Sequence, residues 1–236
     1  MTKVLWVVSY HDAKDFLKQA QDANVNRVAI RTSNNIPHAI DVFKDKGIEV
    51  YGWRWPSSHR DPAMNEADKA ADLLNHGLDG YYVDPEEHKN HDYDDWNKTG
   101  LETLAEDFCK AIKETGKPLG VTSLMGALYN APHLPWKSFF KYADVLLPQS
   151  YWRADGGGKV LHGNVTENYK WGLDHWKAAG GIEAKIMPMA GEIQYAKKAE
   201  IEEYVAQAKH YQKDELHFYA ANGSVPPGVW EAIANA

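Results

Sequence analysis

The chain has 236 residues, 44% of them apolar and 25% charged, and its 26 Lys+Arg against 33 Asp+Glu leave a formal net charge of -7. That length suits one α/β domain over residues 1–236. The acidic balance offers no basic stripe to a phosphate backbone, so nucleic acid is not an expected partner, and no run approaches the ~20 apolar residues of a membrane-crossing helix.

Short β-branched and aromatic runs alternate with amphipathic segments from end to end, the pattern of βα units around a parallel sheet. In chain order, strands are expected over residues 4–10, 27–32, 48–55, 80–86, 119–124, 145–151, 185–190 and 216–221. Helices are expected over 12–23, 37–46, 62–75, 98–115, 136–142, 167–179, 198–212 and 227–234. Eight such pairs predict a (β/α)8 TIM barrel. Gly47, Gly77 and Gly116 stand where the second, third and fourth helices should stop, as glycine does just past a helix end. The one cysteine, Cys109, falls in the apolar stripe Leu101, Leu104, Ala105, Phe108 and Ile112. It reads as a core residue, and no disulfide framework exists within the chain.

In such a barrel the chemistry belongs at the C-terminal ends of the strands. The fourth strand ends in Asp84-Pro85-Glu86-Glu87-His88. Residues i and i+2 of a strand point the same way, so Asp84 and Glu86 would emerge together, with Tyr82 one step further inside. Two adjacent carboxylates disfavour double ionisation, which suits general acid work of the kind that cleaves glycosides. Glu86, nearer the rim, is the candidate acid and Asp84 its support. A competing reading makes Asp84 an N-cap, with Pro85 at the first helical position and Glu87 three residues after the cap. Trp53, Trp55, Tyr151 and Trp152 fall near the same rim, where aromatic faces could stack on sugar rings, and strand parity assigns about half of them to the core. Gln149, Glu192 and Asn222 end the sixth, seventh and eighth strands and are further candidate substrate contacts. The glycine-rich stretch 154–159 reads as a mobile lid. His88, His91, Asp92, Asp94 and Asp95 form a polar cluster that matches no established zinc motif, so no metal or cofactor is expected.

The stretch Asp79-Gly80-x-x-x-Asp84-x-Glu86 resembles the fourth-strand signature of the chitinase family of glycoside hydrolases (family 18), Asp-Gly-x-Asp-x-Asp-x-Glu, with Tyr82 where that family has its first inner aspartate. Gln149-x-Tyr151 resembles the family's tyrosine-bearing sixth strand. The resemblance implies Glu86 as proton donor, Asp84 as orienter of a substrate acetamido group that attacks its own anomeric carbon, and Tyr151 as its steadying hydroxyl. The sequence departs from the family at the third strand, where Gly52-Trp53-Arg54-Trp55 replaces Ser-x-Gly-Gly, and no Trp ends the eighth. The Asp-x-Glu pair also resembles that of barrel-type muramidases, without their first-strand aspartate.

The expectation is therefore a glycosidase for a β-linked, N-acetylated glycan such as peptidoglycan or chitin fragments. A carbohydrate-binding barrel without catalysis and a metal-dependent hydrolase using His88 and His91 remain as alternatives. The run 4–8 is too short for a signal-peptide core, which gives a cytoplasmic location, with release by lysis or a non-classical route as the way to an external glycan. Oligomeric state is left open.

Overall fold

The computed structural model describes residues 1–10, 12–153, 164–221 and 225–236. Among these, seven strands form one parallel sheet: β1 (Thr2–Val7), β2 (Arg27–Arg31), β3 (Glu49–Arg54), β4 (Gly80–Val83), β5 (Leu119–Leu124), β6 (Val145–Gln149) and β7 (Glu215–Phe218). They lie in the order β6-β5-β4-β3-β2-β1-β7. The helices are α1 (Ala13–Asp22), α2 (Ile36–Lys44), α3 (Arg60–Asn75), α4 (Glu102–Lys113), α5 (Trp136–Tyr142), α6 (Val165–Ala178), α7 (Lys198–His210) and α8 (Pro227–Ala234). None is long and apolar enough to cross a membrane.

The expected strand over 185–190 is the one element that differs. A 3-10 turn, Glu183–Lys185, precedes it, and the segment then runs extended between β6 and β7. Met187 and Met189 donate to the carbonyls of Leu146 and Pro148 (2.8 and 2.9 Å), Ala190 donates to His217 (2.9 Å), and Tyr219 donates back to Ala190 (2.8 Å). The barrel is thereby closed, yet no regular ladder forms. Pro188 has no N–H to give, Pro148 has none across the seam, and the Pro188 carbonyl accepts from the Tyr204 hydroxyl of α7 instead (2.9 Å).

Alternation along the strands separates two cores. Outward residues such as Leu5, Val28, Val50, Tyr81, Val83, Val121 and Leu146 pack under the helices, while Val4, Trp6, Ala29, Tyr51, Trp53, Tyr82, Leu147, Met187 and Met189 fill the interior. Aromatic rings do most of that filling. Trp6 stacks on Tyr82 at 4.8 Å between centroids, and Tyr51 lies 5.1 Å from Tyr82. Such rings fit because β4 and β5 leave space opposite them: a Cβ on Gly120 would stand 2.5 Å from the Tyr82 ring. The helix ends read from the sequence hold, with Gly47, Gly77 and Gly116 all at positive φ (73, 120 and 74°). Cys109 is buried on α4 among Leu104, Ala105, Phe108 and Ile112, and burial pushes its thiol pKa up.

The N-terminal end of the barrel is plugged by charge. Arg27 meets Glu49 (2.7 Å), Glu215 (2.9 Å) and the Tyr82 hydroxyl (3.2 Å). His217, fully buried, accepts the Trp6 indole N–H at Nδ1 (3.2 Å), which leaves Nε2 to donate to Glu215 (3.0 Å). Burial lowers the pKa of His217 and keeps it neutral. Burial alone would raise Glu215, but the His217 hydrogen bond and the Arg27 charge pull it down to about 2.

Candidate active site

The ladder of β4 does not end in a helix. Asp84 N–H still donates to Arg54 O (2.9 Å), and Trp96 N–H donates to Glu86 O (2.9 Å) as Glu86 bridges to Asp95. The next helix begins only at Glu102, and the Asp84 carboxylate accepts from a side chain on β6. This excludes the N-cap reading of Asp84. Pro85 sits where the ladder stops and its missing donor costs nothing; its carbonyl accepts from Ser123 Oγ (2.5 Å).

That β6 side chain is Gln149. Its Nε2 donates to Asp84 Oδ1 (3.0 Å) and to Glu86 Oε1 (2.9 Å), so one amide nitrogen ties the two acids together, their accepting oxygens no more than about 6 Å apart. Asp84 is 7% exposed. Burial, then the Glu86 charge and hydrogen bond, hold its pKa well above the usual carboxylate range. The deeper acid is thus the one that keeps its proton, and that proton faces Glu86. At the outer side of Glu86, His88 Nε2 lies 3.4 Å from Oε2, and this contact raises the His88 pKa.

Tyr151 closes the other wall. Its ring stacks on Tyr219 at 5.3 Å and 12°, and it lies so close to the backbone of Gly191 that a Cβ there would stand 2.6 Å from the ring. Burial first, then neighbouring groups that include Glu192 and Glu86, raise its hydroxyl pKa well above normal. Glu192 accepts from Gln194 (3.1 Å) and acts on both tyrosines. From Tyr219 the aromatic run continues to Trp53 (6.2 Å) and on to half-buried Trp55 (5.6 Å).

The structure therefore brings together Asp84, Glu86, Gln149, Tyr151, Glu192 and Trp55. It does not bring the other predicted contacts to the mouth. Trp53, 1% exposed, is an interior residue whose indole donates to Val7 O (3.0 Å). Tyr82 is fully buried and turns its hydroxyl to Arg27 at the opposite end. Trp152, also 1% exposed, packs outward against Tyr204 of α7, because it is one residue out of phase with Tyr151. Asn222 and the glycine-rich stretch 154–159 lie outside the described residues. Among the described residues no group of three or more His, Cys, Asp or Glu side chains is placed to hold a metal ion. Asp92 instead pairs with His59 (2.9 Å) and Lys98 (2.6 Å).

Two mouth residues escaped the sequence reading although strand phase reveals them. Tyr219 shares the inward phase of His217, and Arg31 that of Ala29.

No protein-family profile matches the sequence, and neither does any curated protein. Solved structures do share its fold. A family 18 N-acetylglucosaminidase from Paenibacillus barengoltzii superposes with a TM-score of 0.71 at 10% identity, over 99% of each chain. The spore cortex-lytic enzyme SleL of Bacillus cereus gives 0.70 at 9%, over 98% of this chain and 73% of that one. A family 18 chitinase of Cycas revoluta, in complex with (GlcNAc)4, gives 0.68 at 11%, over 100% and 99%. The architecture is the α/β barrel that these structures share.

Proposed function

We propose that this barrel is a glycosidase acting on a β-linked, N-acetylated glycan of the chitin or peptidoglycan type. The observation that carries the reading is the single amide of Gln149 bridging a proton-holding Asp84 and a Glu86 nearer the rim, beside an inward tyrosine. In this mechanism the substrate's acetamido oxygen attacks its own anomeric carbon while Glu86 protonates the departing glycosidic oxygen, with no protein nucleophile. Asp84, passing its proton towards Glu86, becomes the anion that holds the acetamido N–H. The Tyr151 hydroxyl, kept protonated by its burial, donates to the acetamido oxygen. Glu86 then takes a proton from the water that opens the cyclic intermediate. The matching barrels of glycan-cleaving enzymes support the substrate class.

The test is Glu86→Gln, followed by release of reducing ends from chitotetraose and from muramyl oligosaccharides. A loss of at least about a hundredfold is expected for a general acid, and an unchanged rate refutes the role. One feature favours a second reading, a barrel that binds glycan without cleaving it. Tyr82 occupies the inner position of the acidic signature, and its hydroxyl oxygen accepts from Arg27 at the far end of the barrel instead of meeting Asp84. Turnover of any glycan by the unmodified protein excludes that reading.

A further inference from the structure

Each arginine has a distinct setting. Arg27 pairs with Glu49 and Glu215, Arg60 with Asp107, and Arg153 with Glu200. Arg31 and Arg54 have no carboxylate within ion-pair distance among the described residues, and both lie on the ring of Trp55, with guanidinium carbons 5.4 and 5.7 Å from its centroid. Arg31 comes from the inward phase of β2 at its C-terminal end, and its charge opposes the rise in the Tyr219 pKa, which sets it at the mouth. Its Nε donates to Ser33 Oγ (2.7 Å). That leaves the Nη groups of a planar fork for a ligand. The mouth is thus divided. Asp84, Glu86 and Glu192 stand around Tyr151, and across the run Tyr219, Trp53, Trp55 stands Arg31, a cation that ring electrons stabilise only in part, while Arg54, one residue out of phase with Trp55, turns to the outer face beside Tyr81 and Glu66.

Resting on the glycosidase reading, we infer that Arg31, backed by the ring of Trp55, receives a carboxylate carried by the glycan, so that the substrate is an acidic N-acetylated polymer. A neutral polymer of N-acetylglucosamine offers nothing to a guanidinium fork. A lactyl ether or a uronic acid does, by charge-assisted, two-pronged hydrogen bonds.

The inference is tested by calorimetry on the Glu86→Gln protein, so that binding is read without turnover. Three tetrasaccharides are titrated: chitotetraose, a GlcNAc–MurNAc repeat and a hyaluronan repeat. At least one acidic glycan is expected to bind about ten- to a hundredfold more tightly than chitotetraose, with the advantage shrinking as salt rises. Preference for the muramyl glycan identifies a lactyl source, and preference for hyaluronan a uronate source. Arg31→Ala should bring acidic and neutral affinities together, and Arg31→Lys should restore part of the gap, since a point charge replaces a fork. Equal affinity for all three glycans, or an acidic preference untouched by Arg31→Ala, overturns the inference while the glycosidase reading stands. Failure to bind any of the three overturns both.

Discussion

Replacing Gln149 by Leu keeps the volume of the side chain and deletes the only two donors it gives to the acid pair. Both bonds have ordinary lengths, 3.0 and 2.9 Å, so ordinary energies apply. A hydrogen bond to a neutral carboxyl is worth about 1 kcal/mol and one to an anion about 2–3 kcal/mol. In the resting protein Asp84 is neutral, and in the proposed reaction it becomes the anion that holds the acetamido group. The Gln149 bond therefore strengthens by about 1–2 kcal/mol on the way to the transition state, and its loss should lower kcat about five- to thirtyfold. The same amide favours the ionised form of Asp84, so the pH-rate profile of the variant should move to higher pH. Initial rates of oligosaccharide hydrolysis across the pH range measure both effects, with thermal unfolding to verify that the barrel is intact. A variant whose kcat stays within about twofold, or whose profile moves to lower pH, would show that the amide does not tie the acids into one unit.

Gly120→Ala places a methyl 2.5 Å from the Tyr82 ring and 2.7 Å from Val145, in an interior with no slack; a loss of about 1–3 kcal/mol, seen as a Tm lower by several degrees in calorimetry, is expected. Glu215, lowered from 4.5 to about 2 in the folded state, contributes stability that is complete above 4.5 and disappears as pH falls towards 2. The contribution is on the order of 3 kcal/mol, and denaturant titrations at a series of acidic pH values should show Glu215→Gln flattening that slope. His88→Ala removes a group that carries positive charge beside Glu86, so the acid limb of the activity profile should shift upward at low salt.

The sequence discloses most of the architecture because each βα unit carries its own punctuation. Gly47, Gly77 and Gly116 mark helix ends at positive φ, and the α4 stripe around Cys109 buries as its spacing requires. The inward phase of Asp84 follows from the same period-two logic, while Gln149, expected to touch substrate, proves to tie the two acids together. Three things were not legible. Phase alone does not tell a rim aromatic from a filling one, and the depth of Trp53 and Tyr82 depends on partners supplied by β1 and β2. The extended run before Ala190 has the composition of a strand, but two prolines on facing lines deny it a ladder. Which acid keeps the proton depends on burial, a property of the closed barrel rather than of the motif.

The proline-bearing seam between β6 and β7 gives the cylinder an uneven rigidity. Six of its joints are continuous ladders, whereas this one is stitched at isolated points. Gln149, Tyr151, Glu192 and Tyr219 all issue from the margins of that stitching. The wall that must accommodate a bulky sugar is therefore the most pliable stave, while the acids opposite stand on a stiff one. Compliance and precision are assigned to different sides of the same bowl.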